Sequence, residues 1–412
     1  MGGDSGDAGQ PIAPAPLAMK LDAGKWRKRR GMAKLLDALG AAEGMTRFVG
    51  GAVRDDLLGL PVSDIDLATR IRPQDVVDRL KGAGIKAVPT GIDHGTITAV
   101  SDGQVVEVTS LRRDVATDGR RATIAYTDDW QEDAARRDFT INALLADPQD
   151  GSIVDYFGGL TDLEQRHIRF IGDPLERIAE DHLRILRFFR FHARYGRGEP
   201  DAAALEACTA RANDLMALSR ERIADELLKL LALPDPADTV SLMLDRGILA
   251  PALPEIEASR IGDLRSLIET ESRAGVEPDG IRRLSALLPA DGIVAEKVAT
   301  RLRLSNKARR RLGCIAEREL SSSPQALAYW VGIQCAVDRL LLSAKAADAS
   351  SIHGWHPPRL PIGGAKLMAS GLPEGPVISR TLRAIEKKWV ESGFPSGAAL
   401  EAIVDDCLVD AR

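Results

Sequence analysis

Residues 50–70 read "GGAVRDDLLGLPVSDIDLATR", with a glycine turn, an Arg-Asp pair and two aspartates separated by one residue. The glycines follow the strand-like run "MTRFV", so they predict a junction between a strand and a helix. The segment "DIDLAT" predicts a second strand. Because successive side chains of a strand alternate between its faces, Asp64 and Asp66 share one face while Ile65 and Leu67 point toward the core.

Two carboxylates on one face repel each other unless a cation lies between them. Oxygen ligands suit Mg²⁺, which keeps waters and substrate phosphate oxygens as its other ligands. Asp64 and Asp66 are therefore candidate metal ligands and catalytic residues for phosphoryl chemistry. A third candidate catalytic carboxylate is Glu107 in the strand-like run "QVVEVTSL", for which an outward-facing, solvated position is an equally open alternative.

The glycine turn is a candidate nucleotide-binding element. Gly50 and Gly51 leave backbone amides uncovered at the start of a predicted helix, where an anion is favoured. Arg54 follows one helical turn later and can reach a phosphate, with Asp55 positioned to orient it. Each fragment alone favours an ordinary glycine turn, a helix cap or a solvated aspartate pair on an edge strand, but their combination in 21 residues favours a triphosphate site.

The whole chain has 412 residues, with 55 Lys and Arg against 60 Asp and Glu and a formal net charge of -5, so a uniformly basic surface is excluded. Its four cysteines lie far apart, which predicts neither a disulfide framework nor a zinc site and favours a cytoplasmic protein. No apolar run approaches the length of a membrane span. Residues 1–24 are predicted to be a disordered leader.

Strand and helix signals divide the chain into two regions. Short strand-like runs continue to about residue 148, and amphipathic helical patterns such as "RERIADELLKLLAL" dominate after residue 160. This order predicts an α+β head with a small mixed sheet, followed by an all-α remainder.

Four ordered motifs resemble one family. The first is "FVGGAVRDDLLGLPVSDIDLAT", and "RRDFTINALLADP" (136–148), "DYFGGLTDL" (155–163) and "EDHLRILRFFRF" (180–191) follow it. Together they resemble the class II, bacterial and eukaryotic, tRNA CCA-adding enzymes and the related bacterial poly(A) polymerases. The resemblance implies a catalytic nucleotidyltransferase head at 25–148, a base-recognising helical neck at 149–232, a helical body at 233–345 and a helical, RNA-binding tail at 346–412.

The fourth motif offers a way to select bases without a template. Asp181, Arg184, Arg187 and Arg190 recur at three-residue steps and are predicted to line one stripe of a helix. Cytosine and adenine share an amino donor beside a ring-nitrogen acceptor, so Asp181 can accept from either base while Arg184 donates. The alternative is an i,i+3 salt bridge on a solvated helix face.

The second motif supplies further candidate nucleotide ligands. Arg137 resembles the family's nucleotide-binding arginine. Asp138 and Asn142, one helical turn apart, are positioned to hydrogen-bond the ribose hydroxyls and favour NTP over dNTP. None of the six histidines is assigned to catalysis.

The favoured activity is addition of CCA to the tRNA 3′ end from CTP and ATP, with Mg²⁺ as cofactor, no membrane association and no obligatory protein partner. Residues 111–126 resemble the flexible loop that CCA enzymes use and CC-adding relatives shorten. Poly(A) polymerase or an A-adding enzyme is the second hypothesis, and a nucleotide-sensing RNA-binding module is the third.

Basic clusters are candidate RNA contacts. One is "KWRKRR", residues 25–30, near the head. The other is a helical segment, although charge runs on helices are also common as solvated faces. Its candidate RNA-binding residues are Arg301, Arg303, Lys307, Arg309, Arg310 and Arg311.

Overall fold

A computed structural model describes residues 20–117 and 122–411. The chain divides into two compact units, residues 1–211 and 212–412. Residues 1–19 of the predicted leader lie outside the described residues, whereas Asp22 caps the first helix by accepting a hydrogen bond from the Lys25 amide at 3.0 Å. The finer division into head, neck, body and tail stays a prediction.

The first unit contains a mixed sheet, as the sequence predicted. In the described residues its strands are β1 (Thr46–Val49), β2 (Asp66–Thr69), β3 (Lys86–Gly91), β4 (Thr96–Ser101), β5 (Gln104–Ser110), β6 (Arg112–Thr117), β7 (Ala122–Tyr126), β8 (Leu145–Ala146) and β9 (Ile153–Val154). Seven of them form one sheet in the order β3-β4-β5-β2-β1-β8-β9. Only β2 and β5 pair in parallel among the described strands, and β1 lies antiparallel to β2.

Helices cover this sheet and continue beyond it. They are α1 (Ala23–Arg27), α2 (Met32–Ala38), α3 (Gly51–Leu57), α4 (Pro73–Gly82), α5 (Trp130–Ala135), α6 (Gly159–Glu164), α7 (Pro174–Glu180), α8 (Leu183–Tyr195) and α9 (Ala202–Ala210). Aromatic side chains fill the core: the rings of Trp26 and Phe48 lie 4.8 Å apart, and those of Phe139 and Phe170 4.9 Å apart. Burial of these side chains fixes the elements that carry the polar residues.

Two local expectations were wrong. Residues 111–126 were expected to form a flexible loop, but β6 and β7 pair there as an antiparallel ribbon, with residues 118–121 outside the described part. The fourth motif was expected to be one continuous helix, but the backbone is extended at Asp181, between α7 and α8. Asp181 therefore lies before the helix that carries Arg184.

The second unit is helical throughout its described residues, as predicted. Its helices are α10 (Arg220–Leu231), α11 (Ala237–Asp245), α12 (Ile261–Ala274), α13 (Gly280–Leu287), α14 (Gly292–Arg301), α15 (Asn306–Ala316), α16 (Pro324–Val331), α17 (Ile333–Leu342), α18 (Ala346–Ser351), α19 (Gly364–Ala369), α20 (Pro376–Glu391) and α21 (Ala398–Ala411). A buried ion cluster joins four of them, with Arg282 bonded to Glu271 at 2.7 Å and to Asp338 at 2.9 Å, and Arg311 bonded to Asp338 at 2.7 Å.

The cysteine prediction was also wrong in part. Cys314 of α15 and Cys335 of α17 form a disulfide, with Cα atoms 6.4 Å apart. Cys208 and Cys407 are free and buried, and burial raises the pKa of the Cys208 thiol. Within residues 20–117 and 122–411, no helix is long and apolar enough to cross a membrane.

Candidate active site

A pair of carboxylates lies where β2 begins. Asp66 is the first residue of β2, and its Cα partner in the parallel register with β5 is Glu107. Asp64 precedes the strand and is exposed, yet the predicted alternation holds because Ile65 and Leu67 are buried. Glu107 also pairs with Thr98 across the β4–β5 hairpin and is exposed, so the predicted hairpin is confirmed.

Electrostatics link these three carboxylates to one another. Partial burial raises the pKa of Asp66, and the negative charges of Glu107 and Asp64 raise it further, while Arg137 acts in the opposite direction. Ionisation of Asp66 beside Glu107 and Asp64 is therefore unfavourable unless further positive charge compensates the repulsion. A cation at this edge would remove that cost.

The donor set fits a hard divalent cation. Among the described residues, no three acidic, histidine or cysteine side chains gather into a closed metal cage. Mg²⁺ is typically held by one or two carboxylates, with waters and substrate phosphates as its remaining ligands. Asp64 and Asp66 match that open arrangement in ligand chemistry.

The glycine turn lies beside this edge, because Val49 pairs directly with Asp66. Gly50 has φ 71°, a left-handed conformation that favours glycine, and an added Cβ would lie 3.0 Å from Nη1 of Arg137. The Gly50 amide donates to the Leu144 carbonyl at 3.1 Å, so the expectation that this amide is uncovered was wrong. The turn instead lets Arg137 approach closely.

Arg54 lies beside the glycine turn, as its spacing predicted, since a Cβ added at Gly51 would lie 3.4 Å from its Nη2. Its role as a phosphate ligand stays a prediction. Arg54 is 6% exposed, and its guanidinium donates to Asp55 at 2.8 Å, to the Tyr195 hydroxyl at 2.6 Å and to Oδ1 of Asn142. Its Cζ also lies 4.1 Å from the centre of the Tyr195 ring. Asp55 orients Arg54 as predicted, but these buried partners make Arg54 a link between α3 and α8.

Asp138 and Asn142 belong to the same buried network. The Asn142 amide donates to Asp138 at 2.8 Å, and Arg187 Nε donates to the other oxygen of Asp138 at 2.7 Å. Burial raises the pKa of Asp138, but Arg187 and the hydrogen bonds outweigh it and the net shift is downward. Asp138 is therefore held ionised.

Of the residues proposed for base reading, Asp181 lies in the α7–α8 junction and Arg184 lies in the first turn of α8. Oδ1 of Asp181 accepts from the Leu183 amide at 3.1 Å, which stabilises the start of α8. Arg184 donates to the carbonyls of Arg177 at 2.7 Å and Arg136 at 3.1 Å, and to the Glu180 carboxylate. These bonds use three of its five N–H groups.

The next two arginines of the stripe contact the ring of Phe191 in α8. Cζ of Arg190 lies 4.7 Å from the centre of the Phe191 ring, and Cζ of Arg187 lies 5.3 Å from it. Arg187 is also paired with Asp138 at 2.6 Å, so it joins α8 to the second motif.

The candidate RNA contacts separate into two groups. Arg301, Arg303 and Arg311 are paired with acids, and Arg311 bonds to Asp338 at 2.7 Å as part of the buried ion cluster, so its position is structural. Lys307, Arg309 and Arg310 have no ion-pair partner among the described residues. Lys307, Arg309 and Arg310 are available for phosphates without breaking an ion pair, and the exposed Arg303 is available at the cost of a weak surface pair.

Sequence reasoning missed three residues that fix the site. Asp133 is 1% exposed and accepts from Arg136 at 2.9 Å and from Arg137 at 3.5 Å. Its i,i+3 and i,i+4 spacing in "DAARR" was a readable signal. Glu180 had a similar signal, four residues before Arg184. Tyr195 had none, since it contacts Arg54 across 141 residues of sequence.

Comparisons with known proteins agree with this arrangement. A family model described as "Poly A polymerase head domain" matches residues 46–169, and one described as "Probable RNA and SrmB- binding site of polymerase A" matches residues 199–260. The mitochondrial CCA tRNA nucleotidyltransferase 1 of Mus musculus is 32% identical over 404 residues, covering 92% of this chain and 91% of that protein. The chain belongs to the CCA-adding tRNA nucleotidyltransferase family.

Other members of the CCA-adding family match over similar lengths. A CCA-adding enzyme of Levilactobacillus brevis is 32% identical over 383 residues, which is 87% of this chain and 93% of that one. The solved Bacillus stearothermophilus CCA-adding enzyme in complex with CTP has a TM-score of 0.72 and 25% identity, and the match covers 92% of this chain and 98% of that chain. The Thermotoga maritima enzyme complexed with tRNA shares the fold, with a TM-score of 0.68, 20% identity, and coverage of 96% and 100%. The family resemblance and the fold class predicted from the sequence are confirmed.

Proposed function

We propose that this protein adds CCA to the 3′ end of tRNA, using CTP and ATP and releasing pyrophosphate. The observation that carries the proposal is the β1–β2–β5 register, which brings Gly50, Asp66 and Glu107 to one edge of the sheet in a chain of the CCA-adding family. Relatives named for CCA addition match over most of the chain, which favours this activity over poly(A) synthesis.

The chain's own residues bind and orient the reactants. Arg137, beside the Gly50 turn, binds the triphosphate, and the first-turn amides of α3 that follow Gly51 lie next to it. The buried bonds from Arg54 to Asn142 and from Arg187 to Asp138 hold the ribose-facing residues in one conformation. The α-phosphate is thereby presented to the tRNA 3′ hydroxyl for direct attack, without a covalent enzyme intermediate.

Membership of this family implies a divalent metal, and we assign Mg²⁺ to Asp64 and Asp66. When bound, such an ion supplies Lewis-acid activation of the attacking hydroxyl and neutralises charge on the leaving pyrophosphate. The raised pKa of Asp66 supports the assignment, because burial and the charges of Glu107 and Asp64 outweigh the charge of Arg137, and a bound metal cation would offset them. Glu107, on the adjacent strand, acts either as a third metal ligand or through its charge on the two aspartates.

Base selection follows from the polarity of Asp181 and Arg184. Cytosine and adenine offer the amino donor and ring-nitrogen acceptor that complement a carboxylate and a guanidinium. Uracil and guanine offer the reverse pattern, and leaving both protein groups unpaired costs roughly 1 to 3 kcal/mol each. Glu180 holds the Arg184 guanidinium in a fixed plane, which favours a specific edge-on contact.

The test is incorporation by the purified protein. It is incubated with Mg²⁺ and a tRNA that ends at the discriminator base, with CTP, ATP or both, and the products are sequenced. We expect termination at CCA. Runs of A would instead identify a poly(A) polymerase, and an absence of incorporation would favour a nucleotide-sensing module.

A matched pair of variants ties this activity to the site. Asp66→Asn should lower the incorporation rate by at least about 100-fold, since the metal-binding carboxylate is lost. Asp78→Asn, an exposed aspartate of α4, is the control and should leave the rate unchanged. A cytoplasmic location is our proposal from the wide spacing of the four cysteines; the Cys314–Cys335 disulfide argues against a reducing compartment, and cell fractionation tests the proposal.

A further inference from the structure

A basic surface lies beside the catalytic edge and is not used by the proposed reaction. We call it the basic platform, and it consists of Lys28, Arg29, Arg30 and Lys34, in the turn between α1 and α2 and in the first turns of α2. Lys28, Arg30 and Lys34 are exposed and have no ion-pair partner among the described residues. In a chain of net charge -5, three unpaired cations within seven residues are a local exception.

The platform is anchored rather than loosely attached. Gly31 has φ 74°, and a Cβ added there would lie 2.4 Å from the Ser101 carbonyl oxygen, so the turn rests directly on the end of β4. The Ser101 hydroxyl donates to the Gly31 carbonyl at 2.9 Å. This contact needs glycine and fixes the direction in which the neighbouring cations project.

Arg29 connects the platform to the aspartate motif. Its guanidinium donates to the Val62 carbonyl at 3.0 Å and to the Ser63 carbonyl at 3.4 Å. Asp64 is the next residue along the chain, so the platform adjoins the exposed candidate metal ligand. A polyanion whose end reaches Asp64 would pass over or near these cations.

An opening of about 600 Å³ runs along the platform. Its lining includes all four platform residues, and Asp102 is the one carboxylate among the lining residues. Arg27, also in the lining, is already paired with Asp37 at 2.8 Å. The opening therefore has an excess of uncompensated positive charge.

The platform is separate from the nucleotide turn. Trp26 Nε1 in α1 donates to Asp56 near the end of α3 at 3.3 Å, whereas Gly51 begins α3. Five residues of helix separate these positions by roughly 8 Å. A triphosphate bound at the glycine turn would leave the platform free for a different phosphate chain.

We propose that the basic platform binds the phosphodiester backbone of the RNA close to its 3′ end and so guides that end to Asp64. The inference rests on the proposed function for its choice of RNA as the polyanion. The platform is distinct from the candidate contacts in α15, and it contributes affinity without base specificity, because point charges on phosphates carry no sequence information.

The test compares two triple variants of the full-length protein. The platform variant is Lys28→Ala, Arg30→Ala and Lys34→Ala. The control is Lys20→Ala, Arg265→Ala and Lys345→Ala, which removes the same charge from exposed cations that each have a carboxylate within 4.0 Å. Thermal unfolding of both variants checks that they fold.

Binding of tRNA lacking CCA is measured over a range of salt concentrations, together with the KM values for tRNA and CTP. We expect the platform variant to bind at least about 10-fold more weakly and to flatten the plot of log K against log salt by about 2, since each phosphate contact contributes roughly 0.7 to 0.9. The KM for CTP should not change, and the control should match the unmodified protein.

Unchanged tRNA binding and salt dependence in the platform variant would overturn the inference. A raised KM for CTP with unchanged tRNA binding would also overturn it and assign the platform to the triphosphate. Failure of the unmodified protein to extend tRNA would count against the proposed function alone, because the salt dependence of RNA binding is read independently of catalysis.

Discussion

Glu107 illustrates how a single side chain is decided by register. From the sequence, it is equally an outward surface residue or a member of the carboxylate group. The parallel β2–β5 pairing places it opposite Asp66, and its charge raises the pKa of Asp66. The charge of Glu107 therefore makes ionisation of Asp66 less favourable in the protein alone, and a bound cation would offset this repulsion.

The Glu107→Gln variant tests this interpretation. We expect the incorporation rate to fall about 10-fold or more, because the site loses a negative charge that would attract the metal. The Mg²⁺ concentration needed for half-maximal rate should rise as well. Glu43→Gln, at an exposed position of the same unit, is the control. A rate and Mg²⁺ dependence equal to those of the unmodified protein would return Glu107 to the solvated alternative.

Tyr195 is a residue that only the three-dimensional structure reveals. Its hydroxyl accepts from the buried Arg54 guanidinium, and replacing it with phenylalanine leaves that donor unsatisfied. We expect Tyr195→Phe to lower the free energy of unfolding by about 1 to 3 kcal/mol, measured by urea denaturation. The control Tyr156→Phe alters a partly exposed tyrosine. Equal stability of the two variants would contradict the argument.

The contact between Tyr195 and Arg54 also shows a limit of sequence-based prediction. Arg54 was interpreted as a phosphate ligand because its spacing from the glycines suits that role. The structure pairs it with Asn142 and Tyr195, which are distant in sequence. Local spacing identifies which residue types are present at a site, but not which of them satisfy one another in the interior.

At the scale of elements, the periodicity of apolar residues predicted which helices and strands form better than it predicted where they begin and end. The alternation of apolar and polar residues predicted β2, β4 and β5. The helical structure predicted after residue 160 was also confirmed. The apolar pattern runs on through residues 174–195, so it could not reveal the break at Asp181, where a side chain bonds to the Leu183 amide. Such breaks depend on local side chain to backbone hydrogen bonds that leave the pattern intact.

The disulfide between α15 and α17 is a second feature that spacing did not indicate. Thiol titration in denaturant should find two free thiols before reduction, Cys208 and Cys407, and four after it. Cross-linking residues 21 apart in sequence contributes about 3 kcal/mol in the chain-entropy account, so reduction should also lower stability to urea.

A matched variant separates that effect from general damage. Cys335→Ala should reproduce the loss of stability seen on reduction and should not respond further to reductant. Cys208→Ala, at a free buried cysteine, keeps the disulfide and should still lose stability when it is reduced. Four thiols in the unreduced protein would show that Cys314 and Cys335 are not joined, as the original composition argument predicted.

At the scale of the whole molecule, sequence predicted an α+β part followed by a helical part, because the change from period 2 to period 3.6 is a chain-wide signal. Contacts divide the chain between residues 211 and 212. Residues 1–211 carry the aspartates, the glycine turn, the network around Asp138 and the α7–α8 junction. The cluster Lys307, Arg309 and Arg310 belongs to the second unit.

This division leads to a prediction for the isolated fragment 1–211. Its own core, including Trp26, Phe48 and Phe139, should support cooperative folding, and all the residues assigned to nucleotide binding are present. We expect it to bind CTP with an affinity within about 10-fold of the full-length protein, measured by calorimetry, but to bind tRNA more weakly and with a smaller salt dependence, since the α15 cations are lost. A folded fragment that fails to bind CTP would mean that residues 212–412 contribute to the nucleotide site, and the assignment of that site to the first unit would then be wrong.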